Sequence, residues 1–348
     1  MKTNQLILAA ALVVLAACNK TNVDTNVAKP EGEEIGFNVV NQKATKANDA
    51  IITGTAYAHD NTFQVWGWQS PAADFSEFAD DDASNFMSDL TISWTGGRDG
   101  RTEAWRNAVN YYYWPFTGKI SFLAIHPSTV TPTTTGWDAT NLKPQATVAD
   151  YTITPGSNET VDLMFATNEG ARRSDALPMV FKHALSQIEV QVKTDEDYSA
   201  DVAFDVESVT FNNIDLSGDV AYVNDAISWT DNDTQTQTWT YYGTVLEDIT
   251  DSYQLYGAAK VNIPQPATVA DDPATDGVIE GTYLTVGYSM EQTGSAKITG
   301  TVNISKPQLW EPGKRYIYTL NFKLNEILFN PAVTDWVDVN VDTINILD

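Results

Sequence analysis

The chain has 348 residues, of which 43% are hydrophobic and 19% charged, and its formal net charge is −26. That length suggests two domains, with ample apolar material for packed cores. The charge excludes nucleic acid as a partner, because a phosphate backbone would be repelled, and it excludes adsorption onto anionic lipid through charge.

The first element is "MKTNQLILAAALVVLAACNK", which carries Lys2 and an unbroken apolar run from Leu6 to Ala17. The run is too short for a bilayer core of roughly 30 Å, but it has the length of the apolar region of a secretory signal. It ends in Leu15-Ala16-Ala17-Cys18, which resembles a bacterial lipobox. In such signals the cysteine is acylated and the bond before it is cleaved. Residues 1–17 would then be a lipoprotein signal peptide, with Cys18 the lipid attachment site and acyl chains tethering the mature chain to a membrane. The competing reading is an ordinary signal followed by a small, buried cysteine. Cys18 is the sole cysteine, so there is no disulfide framework and no cysteine-based zinc site.

Residues 18–34 are polar, lack periodicity and read as a flexible tether. Next comes "IGFNVV", where Ile35, Phe37 and Val39 alternate with Gly36 and Asn38 as in a half-buried strand. A polar stretch with Lys43 and Lys46 follows it. Further period-two segments are "NTFQVWGWQ", "LTISW", "KISFLAIHP", "VDLMFA" and "FDVESVTFNNI". "FADDDAS" and "HPSTVTPTTTGWD" read as loops from their acidic and Thr/Pro chemistry. "YYYWPF" reads as a strand of half-buried aromatics that Pro115 ends or places at an edge. In "MVFKHALSQIEVQVK" the alternation changes phase near His183, which predicts a strand irregularity there. Toward the end, "TYLTVGYSM", "AKITGTVNIS" and "RYIYTLNFKLNE" alternate cleanly, the last with Tyr316, Tyr318, Leu320, Phe322 and Leu324 on one side. Such repeated alternation indicates antiparallel sheets with one wet face. The expected class is all-β: two antiparallel β-sandwich domains in series, 35–172 and 173–348, divided in the polar "NEGARRSDALP".

Chemistry finds no motif. His59, His126 and His183 are far apart and show no metal-ligand spacing, and no nucleophile elbow, phosphate loop or dinucleotide fingerprint is present. "ADDDA" and "DNDTQ" carry oxygen ligands but lack the glycine and closing glutamate of a calcium loop, so they read as solvated turns. No catalytic residue, metal or cofactor is expected.

The lipobox, then "IGFNVV" with a basic stretch, then "YYYWPFTGKISFLAIHP" resemble the N-terminal half of Bacteroidales fimbrillins. "VDLMFATNEG" followed by "MVFKHALSQIEVQVK" resembles the junction with their second domain, and "LWEPGKRYIYTLNFKLNEILFNPAVTDWVDV" resembles their last strands. The resemblance implies two transthyretin-like domains in a pilus subunit that reaches the outer membrane as a lipoprotein, polymerises with other fimbrial subunits and supports adhesion. It implies that a surface protease cuts after a basic residue and releases the first strand, and that a segment of another subunit replaces it. Ile35, Phe37 and Val39 would form the exchangeable strand, with Lys43 or Lys46 at the cut. The family's cut follows arginine, whereas the first arginine here is Arg98. Either a lysine-tolerant protease acts, or the chain is not cut there and caps or anchors a fibre, with Lys43 and Lys46 as solvated loop lysines. The donor would lie in 333–348, where Val333, Val337, Val339 and Val341 share one phase and Ile344 and Ile346 take the other, with a bend near Asp342. Burying about five apolar side chains at roughly 1.5–3 kcal/mol each gives a gross gain on the order of 10 kcal/mol. A surface glycan-binding β-sandwich lipoprotein is the alternative reading.

Overall fold

In the computed structural model the described residues are 32–41, 57–98, 100–154, 161–231, 237–242, 244–265, 282–305, 309–323 and 327–335. The strands of the first half are β1 (Phe37–Asn41), β2 (Phe63–Ser70), β3 (Met87–Trp94), β4 (Trp105–Arg106) and β5 (Lys119–His126). They are followed by β6 (Thr134–Asp138), β7 (Lys143–Thr152), β8 (Met164–Gly170) and β9 (Leu177–His183). Next come β10 (Ser186–Thr194), β11 (Val202–Ile214), β12 (Ser217–Val223), β13 (Ala226–Asp231), β14 (Gln237–Tyr242) and β15 (Gln254–Leu255). The last are β16 (Lys260–Asn262), β17 (Tyr283–Gln292), β18 (Ile298–Ser305), β19 (Lys314–Phe322) and β20 (Ile327–Asp335). No helix occurs among the described residues, and the all-β expectation holds.

Seven strands close into a ring in the order β1-β4-β3-β2-β5-β8-β9. Alternate residues fill its interior: Phe63 and Val65 from β2, Ile120 and Phe122 from β5, Met164 and Ala166 from β8, and Met179 and Phe181 from β9. The outer faces of β2, β5 and β8 are not left to solvent. Trp66, Trp68, Leu123, Ile125 and Phe165 project there into a second, larger core. Strands covered on both faces are near-continuously apolar, which is the pattern of "FQVWGW" and "ISFLAI".

That second core is completed by three further sheets, β13-β12-β7-β6, β14-β11-β17-β18 and β15-β10-β19-β20, with β16 paired to β10. The 13-residue β11 shifts register against β17 between Val206 and Ser208, a bulge that lets so long a strand bend. The ring draws on both sides of the expected divide, since β9 lies beyond Arg172 and Arg173. The phase change at His183 is the break between β9 and β10, where Ala184 and Leu185 are buried.

Two segments differ from their sequence reading. The Thr/Pro-rich stretch holds β6, which pairs with β7 and buries Trp137 against Trp68, Phe75 and Phe78. Burial of one large ring overrides the local loop chemistry there. Conversely, "YYYWPF" forms only an isolated bridge, Tyr113 to Glu34. One turn is sterically closed to side chains: Gly118 has φ +81°, and a Cβ there would come within 2.2 Å of the Ser70 carbonyl oxygen. Gly118→Ala is expected to destabilise the chain by about 1–3 kcal/mol, read as a lower urea midpoint at unchanged slope.

Candidate functional site

β1 is the strand that closes the ring, and its partners lie far away in sequence. On one side it runs parallel to β9, with Phe37 to Asn41 opposite Leu177 to Phe181. On the other it meets β4 at one pair, Phe37 with Trp105. Just before it, the Ile35 N–H donates to the Tyr112 carbonyl (2.8 Å), and the Trp114 N–H donates to the Glu33 carbonyl (2.9 Å). The Leu177 N–H donates to the Gly36 carbonyl (2.8 Å). Lifting β1 out would leave these groups, and the facing edge of β9, without their ladder partners.

The side chains follow the alternation. Ile35, Phe37 and Val39 are buried in the ring interior, and Asn38 is exposed. Phe37 is packed edge-on against Phe122 and Phe63, with centroids 5.2 and 6.1 Å away. Burying three such side chains contributes about 5–9 kcal/mol gross. Parallel pairing is slightly weaker per residue than antiparallel, so most of this strand's hold comes from its side chains.

Glu34 has the opposite phase and leaves the interior. Its carboxylate is buried and is ion-paired with Arg98, with Arg106 Nε 3.5 Å and Arg101 Nε 3.7 Å away. All three arginines come from the 98–106 segment around β4. Arg98 also lies over the Tyr111 ring and Arg101 over that of Tyr113, at 4.1 and 5.8 Å from the centroids. The aromatic run thus props an arginine cluster, a role that period-two reading does not reveal. The available signal was compositional: three of the six arginines in the chain fall between 98 and 106.

Of the other sites read from sequence, Val333 lies in β20 opposite Tyr316 of β19, within the chain's own sheet. Cys18, Lys43, Lys46, Val337, Val339 and Val341 lie outside the described residues. His126 and His183 are both ladder partners of Met164, on either side of β8, and His59 lies elsewhere. His59 stacks on Trp94, with centroids 3.9 Å apart, and His183 Nδ1 is 2.6 Å from the Asp162 carboxylate, both side chains being buried.

His126 ends β5 beneath Tyr57, and its Nδ1 lies 3.0 Å from the Thr62 carbonyl and 2.7 Å from the Tyr57 hydroxyl. Burial pushes its pKa down to about 4, against the opposing pull of the Thr62 carbonyl and Asp162. A histidine whose folded pKa is depressed is protonated first in the unfolded state, so stability falls as pH drops from about 6.5 to about 4. The loss attributable to this ring is on the order of 3 kcal/mol. Denaturation at pH 7 and pH 4 is expected to show a smaller acid loss in His126→Gln than in the parent chain.

Fold and site together define the class: an all-β scaffold whose first described strand closes a ring through pairing with distant segments. The chain belongs to the fimbrillin-like family, whose model matches residues 45–336. A fimbrillin-like chain is a structural pilus protein, not an enzyme. Among solved structures, a fimbrial protein from Bacteroides vulgatus is similar with a TM-score of 0.60 at 17% identity, covering 87% of this chain and 99% of its own. A candidate cell adhesion protein from Bacteroides uniformis gives a TM-score of 0.50 at 14% identity, covering 88% of this chain and 100% of its own. At these identities the likeness is one of fold. No curated protein sequence matches.

Proposed function

We propose that this chain is a subunit of a cell-surface pilus that supports adhesion and is joined to its neighbours by exchange of β1. In this reading Cys18 carries the acyl anchor that brings the precursor to the outer membrane. Cleavage at Lys43 or Lys46 then frees β1, and a strand from another subunit takes its place. The observation that carries the proposal is the place of β1: it completes a closed ring yet has a five-residue parallel ladder on one side and a single ladder pair on the other. A vacated place of that kind presents unpaired backbone groups and apolar pockets, which is the geometry that accepts an added strand. Because β20 already holds Val333 in the chain's own sheet, the donor in this reading is drawn from residues 336–348.

Immunogold microscopy with antibody to this chain is expected to label filaments, and surface extracts to run as ladders that resist warm detergent. Diffuse labelling without ladders would refute the subunit reading; diffuse labelling with retention on immobilised polysaccharide would favour a glycan binder. N-terminal sequencing of the surface form is expected to begin after Lys43 or Lys46, and a start only at Cys18 would remove the processing step.

A further inference from the structure

The arginine cluster around Glu34 has contacts of its own besides those to the strand it holds. Arg106 donates to the Thr102 carbonyl at 2.8 Å and to the Thr95 hydroxyl at 3.3 Å, and Arg98 donates to the Asn107 carbonyl at 3.2 Å. The Arg101 N–H closes a turn onto the Arg98 carbonyl at 2.9 Å, and Arg98 and Arg101 rest on the Tyr111 and Tyr113 rings. All these contacts lie within 95–113, and none involves β1. Among the charges acting on Arg106, Glu34 favours its cation while Arg98 and Arg101 oppose it. Withdrawing Glu34 would leave three largely buried guanidinium groups held together without that carboxylate. Such groups bind carboxylate through short, charge-assisted hydrogen bonds.

We infer that Arg98, Arg101 and Arg106 form a carboxylate receptor that reads whichever strand occupies the place of β1, and that in the assembled state its ligand is Asp338 of a second copy of this chain. The inference rests on the strand-exchange reading above and specifies its register. The resident strand presents a carboxylate at Glu34 and apolar groups one, three and five residues later, at Ile35, Phe37 and Val39. Within 336–348, Asp338 is followed at those spacings by Val339, Val341 and Thr343. Asp342 is followed by Thr343 and Asn345, which places polar groups in the first two pockets. The register carries one steric cost, because Asn340 takes the place of Gly36. A Cβ at Gly36 would approach the Ala104 Cβ to 2.9 Å and the Arg106 guanidinium nitrogens to 3.3 Å, so Ala104 and the receptor's own Arg106 must both shift to admit it.

The test uses the full chain with a specific protease site inserted after Lys43, cut and then challenged with labelled peptides of residues 336–348. Retention and displacement of the nicked segment are read by fluorescence anisotropy. The parent peptide is expected to be retained. Asp338→Asn should weaken it at least about tenfold, as loss of a charge-assisted pair requires, Asp338→Glu should keep affinity, and Asn340→Gly should tighten it. Because the changes are in the peptide, folding of the chain is not at stake. If Asp338→Asn binds as tightly as the parent, the carboxylate receptor is overturned and strand exchange stands. If no tail peptide is retained, strand exchange through this tail falls, and this inference with it.

Discussion

Glu34→Gln is expected to lower the unfolding free energy by about 3–5 kcal/mol, the range for removing one partner from a buried ion pair. The substitution keeps the shape of the side chain and removes its charge. Its environment decides the size of the effect. The Glu34 side chain is 1% exposed, and those of Arg98, Arg101 and Arg106 are 16%, 12% and 4% exposed, so water screens little of the loss. At a separation near 3.5 Å and an effective dielectric of 20, each lost attraction is worth about 5 kcal/mol before desolvation is set against it. Arg98 and Arg101 then act on the Arg106 cation without the opposing charge of Glu34. Urea denaturation of the purified chain measures the change, and a loss under about 1 kcal/mol would mean that the cluster is held by water rather than by Glu34.

The second large effect is expected at Phe37→Ala, a loss of about 3–5 kcal/mol. The ring is 1% exposed and meets Phe63 and Phe122 edge-on, so truncation removes both apolar burial and two aromatic contacts. Asn38→Ala, one residue away on the exposed face, should change stability by no more than about 0.5 kcal/mol. Hydrogen exchange distinguishes where the loss falls. In Phe37→Ala, amides of β9 that face β1 should lose protection before those of β10 and β19, because β1 can open without unfolding the second core. Equal loss in all three strands would make β1 an integral part of one cooperative unit.

Much of the site was legible in six residues. The alternation in "IGFNVV" assigned Ile35, Phe37 and Val39 to the interior, and the structure buries all three. The same pattern located β2, β5, β11, β17 and β19, because period two is a local property of extended backbone. Where local chemistry misled, a distant partner was responsible. Trp137 drew a Thr-rich loop into a strand by packing on Trp68, and the tyrosines at 111 and 113 gave up strand geometry to support Arg98 and Arg101. Glu34 looked like the end of a polar tether, since nothing near it in sequence says that three arginines await it.

The sequence by itself determined that this chain is all-β, where several of its strands lie and which residues of β1 face inward, and that it is fimbrillin-like. Composition, alternation and ordered motifs all operate within a few residues, so one dimension suffices to read them. Only the tertiary structure decided that β1 closes a ring against β9 some 140 residues away, and that its neighbouring carboxylate meets arginines 64 to 72 residues on. Ring closure and charge pairing depend on which segments the folded cores bring together, and that is a property of packing rather than of period.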